Sequence, residues 1–574
     1  MNYKNRKSDY PLYETVSYRD MRDMLRGTAE KHGEAPAISY RIRPHDEKAV
    51  RLSFRRVEEE VSALGTALIA RGLRDKKVAL VGENSRGWIY AYFALTSIGA
   101  VVVPVDKEYP AADMASILNT ARCEALIASG TLDEKVAYLL EAVPSLSLTV
   151  RFSEEALGAP ITLDGLIAEG RALIAEGDTS FLDYEIDPDA LVSIVFTSGT
   201  TGKGKGVMLT TRNILDDMTN GIYLFSMPRE KTLFALPAHH TFGSTVNLVG
   251  HYMQGIEIYI NSGTRYILGE LKQEDPTHLV LVPLYIETFY KKIFASIEKQ
   301  GKLGLIRRMM KLSNALRKVG IDLREKLFRK VLENFGSRMR LIVSGGAALN
   351  PDIIRDFDAL GITILNGYGI TECAPLISCN RNNYRKAGSV GRPILGEEVK
   401  IDRPNENGEG EICVRGSNVM LGYFENEEAT AAVFDEEGYF HTGDLGYLDE
   451  EGWIYITGRL KNLIILSNGK NVYPEEIETE LSRIYGIAEV VVYAGESRSD
   501  AKKELIVAEI FPDKEALELR SITDADSYLR EEVQKANLRM APYKRVEYVK
   551  VRDTEFLKTT TRKITRFTID KSVD

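Results

Sequence analysis

The segment that decides the fold reads Ile194-Val195-Phe196-Thr197-Ser198-Gly199-Thr200-Thr201-Gly202-Lys203-Gly204-Lys205-Gly206. An apolar, β-branched run ends here in a loop of hydroxyl and glycine residues that also contains two lysines. Glycines let backbone N–H groups surround phosphate oxygens, while hydroxyls add donors and lysine adds charge. Such clusters are often plain solvent loops, but the preceding buried strand favours phosphate binding here. The segment therefore predicts a strand, a phosphate-binding loop and a helix from about Thr211.

One known phosphate loop, the P-loop of NTPases, fits this segment up to its last position. Gly199, Gly204 and Lys205 match the spacing Gly-x-x-x-x-Gly-Lys, but Gly206 stands where a P-loop needs Ser or Thr for magnesium. No second magnesium-binding acid is obvious at a strand end. A P-loop-like ATPase therefore stays open as a function from another class.

Short apolar strands alternate with helix-like segments on both sides of this loop. Examples are the runs at 78–82, 101–105, 278–283 and 340–344. Near-continuous apolar strands separated by helices indicate parallel sheets that are covered on both faces. The sequence therefore predicts an α/β protein with mainly parallel sheets.

The character of the sequence changes twice towards the C-terminus. Glycine and acidic residues interrupt short strands between 398 and 455, which predicts a β-rich subdomain at about 388–458. The residues after Lys461 contain strands and helices of their own, enough for a separate α+β domain. We therefore predict a large N-terminal domain over residues 1–460 and a small C-terminal domain over 461–574.

The composition is that of a soluble globular protein. Hydrophobic residues make up 44% and charged residues 27% of the 574 residues. The net charge of −9 gives no general nucleic-acid-binding surface, and four scattered cysteines do not make a disulfide framework. The N-terminus lacks a signal-peptide core, and the apolar run at 93–105 is too short to cross a bilayer. We therefore expect a cytoplasmic protein.

One segment is strongly basic although the chain is acidic overall. Residues 290–340 contain 8 Lys and 7 Arg against 4 acidic residues, a local net charge of +11. Apolar residues between 306 and 319 recur there at helical spacing. The segment is either a surface helix with its apolar stripe packed inward or a basic amphipathic helix at an anionic membrane. The second interpretation places the protein peripherally at the inner face of the membrane.

Further motifs follow the loop in order along the chain. They are Leu236-Pro237-Ala238-His239-His240-Thr241-Phe242-Gly243, Val343-Ser344-Gly345-Gly346-Ala347-Ala348, Asn366-Gly367-Tyr368-Gly369-Ile370-Thr371-Glu372, Tyr439-Phe440-His441-Thr442-Gly443-Asp444, Gly458-Arg459-Leu460-Lys461 and Leu557-Lys558-Thr559-Thr560-Thr561-Arg562-Lys563-Ile564. Together with the loop, they resemble the motifs of the adenylate-forming superfamily, which includes acyl-CoA synthetases, luciferases and peptide-synthetase adenylation domains. The resemblance runs from about residue 15 to 566 and is strongest to long-chain fatty-acid–CoA ligases.

The resemblance implies a two-step ligase reaction. A carboxylate attacks the α-phosphorus of ATP and releases pyrophosphate, and a thiol then displaces AMP from the acyl-adenylate. ATP, Mg2+ and CoA are the implied cofactors, with a long-chain fatty acid as the implied substrate. Transfer to a carrier-protein thiol instead of CoA is the alternative. Because two anions must meet, such a site needs cations and oriented donors.

The resemblance also implies the residues that bind ATP. Thr197 to Lys205 would hold the β- and γ-phosphates, Tyr368 would offer a flat face to adenine, and Asp444 would accept the ribose hydroxyls. Glu372 and Thr197 would hold Mg2+, which prefers oxygen ligands. The full set is Thr197, Ser198, Gly199, Thr200, Thr201, Gly202, Lys205, Gly345, Asn366, Gly367, Tyr368, Thr371, Asp444 and Arg459.

The implied catalytic residues are Lys563, Thr371, Glu372 and His240. Lys563 would bridge the α-phosphate and the substrate carboxylate. The family usually has Gly immediately before this lysine, whereas this chain has Arg562. The nearby Lys558 fits the motif spacing less well.

The remaining implied roles concern movement and the acyl and thiol substrates. Lys461 would be the hinge about which a mobile C-terminal domain rotates between the half-reactions. Gly469 would line the CoA tunnel, and His240, Gly346 and Gly369 would line the acyl pocket.

The acyl-site motif also limits the choice of substrate. Residues 239–245 contain no carboxylate to pair with the ammonium group of an amino acid, and an unpaired buried ammonium is costly. The block between 283 and 340 resembles in size that of long-chain ligases. The expected partners are therefore a fatty acid and CoA, with no nucleic acid. A homodimer and peripheral membrane contact through residues 290–340 are further expectations.

Overall fold

The structure is a computed structural model that describes residues 2–4, 12–152, 161–197, 204–224, 227–228, 230–333, 335–466, 470–497, 504–559 and 563–573. Its strands are β1 (Asn2–Lys4), β2 (Pro36–Tyr40), β3 (Val50–Ser53), β4 (Lys77–Val81), β5 (Val101–Val105), β6 (Ala125–Ala128), β7 (Leu148–Arg151), β8 (Leu191–Thr197), β9 (Lys205–Thr210), β10 (Lys231–Phe234), β11 (Glu257–Ile260), β12 (His278–Leu281), β13 (Leu341–Ser344), β14 (Thr363–Gly369), β15 (Leu376–Cys379), β16 (Arg392–Pro393), β17 (Glu398–Asp402), β18 (Gly410–Arg415), β19 (Gly422–Tyr423), β20 (Phe440–Leu448), β21 (Ile454–Arg459), β22 (Ile464–Ile465), β23 (Asn471–Val472), β24 (Ile487–Ser497), β25 (Glu504–Pro512), β26 (Tyr548–Val551) and β27 (Ser572–Val573).

The α-helices are distributed along the whole chain. They are α1 (Met21–His32), α2 (Phe54–Ala70), α3 (Arg86–Ser97), α4 (Ala111–Ala121), α5 (Asp133–Ala142), α6 (Leu163–Ala175), α7 (Ser180–Asp183), α8 (Thr211–Ile222), α9 (Gly250–Tyr252), α10 (Ile267–Glu274), α11 (Pro283–Lys299), α12 (Leu303–Arg317), α13 (Arg324–Leu332), α14 (Pro351–Leu360), α15 (Glu427–Ala431), α16 (Pro474–Leu481), α17 (Lys514–Leu519) and α18 (Ala525–Asn537). A π-helix covers Phe242–Val249, and short 3-10 helices include Thr371–Cys373 and Leu460–Asn462.

Two large, mainly parallel sheets dominate the N-terminal part. Their strand orders among the described residues are β19-β9-β8-β5-β4-β6-β7 and β16-β15-β14-β13-β12-β10-β11-β2-β3. Val78 and Leu80 of β4 enter one apolar core, while Ala79 and Val81 enter another. Each face of this sheet is therefore covered, which is why the strand is apolar at every position. The predicted α/β class with parallel sheets is confirmed.

The parallel strands bring several predicted residues to one edge. In β12, β13 and β14 the chain runs in the same direction, and Ser344 pairs with Asn366 across β13 and β14. Gly345 and Gly346 directly follow β13, and Thr371 follows β14. The carboxyl ends of parallel strands in open α/β sheets are the usual place for ligands.

A smaller antiparallel sheet follows, as the glycine-rich and acidic pattern predicts. Its order among the described residues is β1-β17-β18-β20-β21. β1, from the N-terminus, pairs with β17 at the edge of this sheet, a long-range contact that no local sequence pattern indicates.

The C-terminal part has its own sheet and apolar cores. Its main sheet has the order β26-β25-β24-β27 among the described residues, and α16 and α18 pack against it. The buried apolar residues change from one core to another between Ile454 and Ile464. This change lies beside Lys461, where the sequence predicts the domain boundary.

The basic segment forms helix α12, which packs some of its apolar residues inward and leaves others exposed. Met310 is buried and Ile306 and Met309 pack against the core, but Leu312, and Val319 just beyond the helix, are exposed. Among the described residues, no helix combines the length and the apolar character that a membrane crossing requires.

Candidate active site

The predicted phosphate loop connects two antiparallel strands. Thr197 at the end of β8 pairs with Lys205 at the start of β9, and α8 begins only at Thr211. A P-loop instead leads directly from a strand into a helix whose N-terminus faces the phosphate. The expectation of a helix at Thr211 is met, but the strand β9 before it was not predicted. This hairpin geometry argues against the P-loop ATPase.

Several predicted ligands of ATP and CoA lie outside the described residues. These are Ser198, Gly199, Thr200, Thr201 and Gly202 of the loop, and Gly469 of the predicted CoA tunnel. The two ends of the loop are described. The Thr197 hydroxyl lies 3.4 Å from the Lys205 carbonyl oxygen, to which it donates.

Lys563 reaches from the C-terminal domain to the edge of the nine-stranded sheet. A Cβ atom at Gly346 would lie 3.9 Å from Lys563 Cε, and Gly346 has a φ of 85°, which favours glycine. The Lys563 backbone is tied to Thr559 by two hydrogen bonds, Thr559 N–H to Lys563 O (2.8 Å) and Lys563 N–H to Thr559 Oγ1 (3.2 Å). These bonds fix the Lys563 backbone beside Thr559, while the end of its side chain lies near Gly346.

The alternative lysine of the same motif has a structural role. The Lys558 ammonium group contacts the carboxylate of Glu489 and lies 2.7 Å from that of Glu555. These carboxylates help raise its pKa, although burial opposes them. Lys558 is thus committed to an ion pair, and Lys563 is the lysine that faces the cleft.

The electrostatic surroundings of Lys563 suit an anion. Burial lowers the pKa of Lys563, and Arg459 and Lys461 lower it further, while Asp444 and Glu372 act in the opposite direction. Burial and the nearby Arg459 likewise lower the pKa of Lys461. Three cationic side chains from both sides of the domain boundary therefore converge, and a bound polyanion would relieve their mutual repulsion.

Asp444 lies at the centre of a buried hydrogen-bonded group. The Tyr368 hydroxyl donates to Asp444 Oδ2 at 2.7 Å, and Arg459 Nε lies 2.6 Å from Oδ1. Burial raises the pKa of Asp444, although Arg459 and Tyr368 favour the charged form. The structure brings these three predicted nucleotide ligands together. Ribose hydroxyls would have to share the Asp444 oxygens with Tyr368 and Arg459.

Tyr423 joins two predicted ligands and was missed in the sequence. Its hydroxyl donates to Glu372 Oε1 at 3.0 Å, and Lys205 Nζ lies 4.5 Å from its ring centroid. The backbone oxygen of Glu372 also accepts the Met420 N–H at 2.8 Å. Tyr423 therefore connects the end of the phosphate loop with the predicted magnesium carboxylate. Its only sequence signal is the Gly-Tyr pair at 422–423.

His240 is a neutral imidazole with a defined proton position. Burial, Lys563 and His239 together lower the pKa of His240 to about 3. Its Nδ1 accepts the backbone N–H of Phe242 at 3.2 Å, so the proton lies on Nε2. His240 can therefore donate one hydrogen bond into the cleft. Its neighbour His239 lies 3.6 Å from the buried carboxylate of Asp106. Asp106 is not part of the acyl-site motif.

Local packing explains why three of the remaining predicted residues are glycines. A Cβ at Gly345 would lie 3.1 Å from the Phe242 ring, and one at Gly367 would lie 3.3 Å from the Ser378 carbonyl oxygen. A Cβ at Gly369 would overlap the carbonyl of Pro375, so this glycine is required by backbone packing. Thr371 is buried at the start of its 3-10 helix.

The donors present fit ATP with Mg2+. Asn366 Oδ1 is buried without a hydrogen-bond partner among the described residues. It can accept a hydrogen bond from an amino group such as that of adenine. Glu372 offers a hard oxygen ligand. Within the described part of the chain, no cluster of three metal-binding side chains includes Glu372, so phosphate oxygens and hydroxyls would have to complete the Mg2+ shell.

Polar contacts hold the C-terminal domain against the N-terminal domain. Lys291 of α11 lies 3.7 Å from Asp513 Oδ2 and donates to the Ile487 carbonyl oxygen at 3.3 Å. Glu298 lies 3.4 Å from Arg520, and Asp352 lies 3.5 Å from Arg483. These contacts accompany the orientation in which Lys563 faces the cleft.

The chain resembles enzymes that act on carboxylic acids. A model of the AMP-binding enzyme family matches residues 25–424. Human long-chain-fatty-acid–CoA ligase 6 is 28% identical over 87% of this chain and 74% of its own length. The chloroplastic long-chain-fatty-acid–[acyl-carrier-protein] ligase AEE15 of Arabidopsis thaliana is also 28% identical, over 86% of this chain and 76% of its own.

Solved structures share the fold over almost the full chain. The anthranilate CoA ligase AuaEII in complex with anthranoyl-AMP has a TM-score of 0.77 and 21% identity, covering 98% of both chains. ATP-bound MatB from Rhodopseudomonas palustris has a TM-score of 0.75 and 23% identity, covering 96% of this chain and 98% of its own.

Replacing Tyr423 should weaken use of the magnesium–ATP complex. Tyr423→Phe removes a hydrogen bond to a charged group, worth about 1.5–3 kcal/mol. We expect the KM for ATP at limiting Mg2+ to rise roughly tenfold, and binding of Mn2+–ATP, followed by electron paramagnetic resonance, to weaken in parallel. Tyr447→Phe, which alters a tyrosine that stacks on Tyr455, is the control. Equal behaviour of the two variants would contradict the role of Tyr423.

Removing Lys291 should affect the two half-reactions unequally. Lys291→Ala loses both contacts of this side chain with the C-terminal domain, each of the order of 0–1 kcal/mol for an exposed pair. We expect adenylate formation, measured as single-turnover pyrophosphate release, to slow by about two- to fivefold. Thioester formation from supplied adenylate should not slow. The exposed neighbour provides the control Lys292→Ala, and a uniform loss in both steps would refute this function of Lys291.

Proposed function

This chain belongs to the AMP-binding enzyme family, and we propose that it activates a long-chain fatty acid with ATP and transfers the acyl group to CoA. In the first step a carboxylate oxygen bonds to the α-phosphorus of ATP, and the bond to pyrophosphate breaks. In the second step the CoA sulfur bonds to the acyl carbon, its proton is lost, and AMP leaves. Adenylate formation followed by thiol transfer is the chemistry of this family.

One observation carries the assignment of the chemistry. Lys563, from the C-terminal domain, lies in the cleft beside Gly346 and interacts electrostatically with Asp444 and Glu372 of the N-terminal domain. A cation at this point would offset the repulsion between the substrate carboxylate and the α-phosphate, and would stabilise charge that builds up in the transition state.

The other residues have distinct proposed tasks. His240 donates from Nε2 to the acyl oxygen and so orients the carboxyl group, while Thr371 donates to the α-phosphate. Tyr368 and Asp444 hold the nucleoside. Mg2+, when bound, would be held by Glu372 and Thr197 and would neutralise charge on the triphosphate. Lys461 is the proposed hinge, at the 3-10 helix Leu460–Asn462 between the cores of the two domains.

The chain length of the substrate is part of the proposal. Support comes from relatives that are ligases of long-chain fatty acids, at 28% identity, while structural neighbours include ligases of other acids. Asp106 is buried beside His239, at 3.6 Å, and lies outside the acyl-site motif at 239–245. A long apolar tunnel would discriminate by about 0.8 kcal/mol for each buried methylene.

A carrier-protein thiol is the second candidate acceptor. The observation that favours it is the relative AEE15, a ligase of long-chain fatty acids and acyl-carrier protein, which is as similar to this chain as the CoA ligases are. Incubating the enzyme with ATP and palmitate, and with either CoA or a phosphopantetheinylated carrier protein, separates the two by the thioester that accumulates.

We also propose that α12 rests on a membrane that contains the fatty acid. Leu305 and Leu312 lie seven residues apart in α12 and are 58% and 59% exposed, and Val319, two residues beyond the end of the helix, is 72% exposed. Two turns of the helix separate Leu305 from Leu312, so these two leucines lie on one stripe of its surface. The exposed Arg308, Lys311 and Lys318 flank the stripe. Exposed leucines beside basic side chains are typical of interfacial contact with anionic lipid.

The proposed function predicts a specific defect for Lys563→Ala. Adenylate formation, measured by ATP-dependent pyrophosphate release, should fall by roughly a hundredfold to a thousandfold, because removal of one preorganised charge-stabilising group has effects of this order. Reaction of chemically supplied palmitoyl-adenylate with CoA should proceed at nearly the normal rate. If both half-reactions fell equally, Lys563 would not have the role assigned to it.

Binding to vesicles tests the proposed membrane face. Leu305→Ser combined with Leu312→Ser should reduce co-sedimentation with anionic phosphatidylglycerol vesicles by roughly tenfold or more, since each side chain contributes up to about 1.5 kcal/mol of apolar burial. Turnover of a short, water-soluble acid should be unchanged. Leu538→Ser, which alters a leucine that is 78% exposed in the C-terminal domain, is the control. Unchanged binding of the double variant would exclude α12 as the contact.

A further inference from the structure

A group of three side chains outside the nucleotide cleft has no part in the proposed reaction. Cys413 of β18 and His441 of β20 are paired across the five-stranded sheet, and Glu411 lies two residues before Cys413 on the same strand face. One ligand atom from each residue lies within 4.8 Å of the other two. The His441 Nδ1 atom is 2.8 Å from Glu411 Oε2 and 3.5 Å from Cys413 Sγ.

We propose that Glu411, Cys413 and His441 form a binding site for one divalent transition-metal ion, with Zn2+ as the best fit. Thiolate, imidazole and carboxylate are the three ligand types that proteins use for zinc. Ligands about 2.0–2.3 Å from a tetrahedral zinc ion lie roughly 3.3–3.7 Å from one another. The sulfur–nitrogen distance already has this value, and the oxygen–nitrogen distance needs to open by only about half an ångström.

The mixture of ligands separates this site from a magnesium or calcium site. A thiolate is a soft ligand that hard cations avoid, and imidazole suits zinc, copper, nickel and iron. With Glu411 and Cys413 both ionised, the metal and its protein ligands together would be electrically neutral. Zinc usually has four ligands, so three protein ligands leave one position for water. The site opens towards solvent, which can supply this water.

The surroundings favour the metal-bound state of His441. When Nδ1 binds a metal, the imidazole proton must be on Nε2. Asp435 Oδ2 is 4.0 Å from Nε2, so a small movement provides the carboxylate partner that metal-bound histidines commonly have. Asp435 is itself held at 2.6 Å by Lys400. Binding of Zn2+ would release the thiol proton of Cys413 to solvent and move the imidazole proton from Nδ1 to Nε2.

An ion can reach the site from one side. The side chains of Glu411 and His441 are 18% and 24% exposed, whereas Cys413 is fully buried beneath them. The thiol is thus at the bottom of the site, with the other two ligands at its rim. This arrangement protects Cys413 from oxidants and leaves an entry path for a small cation.

The site is mechanically connected to the nucleotide cleft. Glu411 Oε1 accepts the backbone N–H of Gly443 at 2.9 Å, and Gly443 has a φ of 71°. The next residue is Asp444, which contacts Tyr368 and Arg459. A metal on Oε2 would fix the Glu411 carboxylate and, through Gly443, the turn that carries Asp444. The proposed ion is therefore structural, and its binding does not depend on which acid the enzyme uses.

Cobalt provides a direct test because a thiolate bound to Co2+ gives a charge-transfer absorption band. The full-length protein, freed of metal by a chelator, should bind one equivalent of Co2+ with this band, and Zn2+ should abolish it by displacement. Cys413→Ser should lose the band, whereas Cys379→Ser, in another buried cysteine, should keep it. Absence of the band in the unmodified protein, or its persistence in Cys413→Ser, would overturn the proposal.

A second variant guards against a folding defect in Cys413→Ser. Glu411→Gln retains an oxygen that can accept the Gly443 N–H but removes the ligand charge, and we expect Co2+ affinity to fall at least tenfold. Zn2+ should raise the Tm of the unmodified protein relative to the chelated form, and it should raise that of Glu411→Gln less. Equal affinity of Glu411→Gln and the unmodified protein would show that Glu411 is not a ligand and would refute the three-residue site.

Discussion

The meeting of Lys563 with the edge of the nine-stranded sheet is the contact on which the proposed chemistry depends. The two apolar cores on either side of Lys461 are separate, so the lysine can act only while the C-terminal domain is seated on the N-terminal one. The left-handed turn at Gly346 leaves room for this approach. Arg459 and Lys461 add positive charge at the same place. The three cations repel one another, and a bound anion would offset this repulsion.

Much of the fold could be predicted because its strands are apolar on both faces. The runs at β4, β5, β8, β12 and β13 stand out in the sequence, and covered parallel sheets are what such runs form. Strand β9 was not predicted, because the glycines and lysines before it are typical of a loop. Its strand character comes from antiparallel pairing with β8. The pairing of β1 with β17 escaped because contacts between distant segments leave no local pattern.

In the candidate site, too, local motifs could be predicted and long-range contacts could not. Its glycine- and hydroxyl-rich motifs are local, and the structure places Tyr368, Asp444 and Arg459 in one buried group. Tyr423 and Asp106 could not be found in this way, because each acts on a residue that is far away in the chain. Gly369, expected in the acyl pocket, is explained by its close approach to Pro375, which only coordinates reveal. A motif therefore predicts the ligands of a site better than the residues that support them.

The polar character of the seam between the domains has a consequence for how the enzyme responds to its solution. The side chains that bridge it, Lys291 to Asp513, Arg520 to Glu298 and Arg483 to Asp352, are 24–46% exposed. Charges so open to water are screened over about 8 Å at physiological ionic strength, and over shorter distances in stronger salt. Added electrolyte should therefore weaken the polar contacts that keep the two domains together.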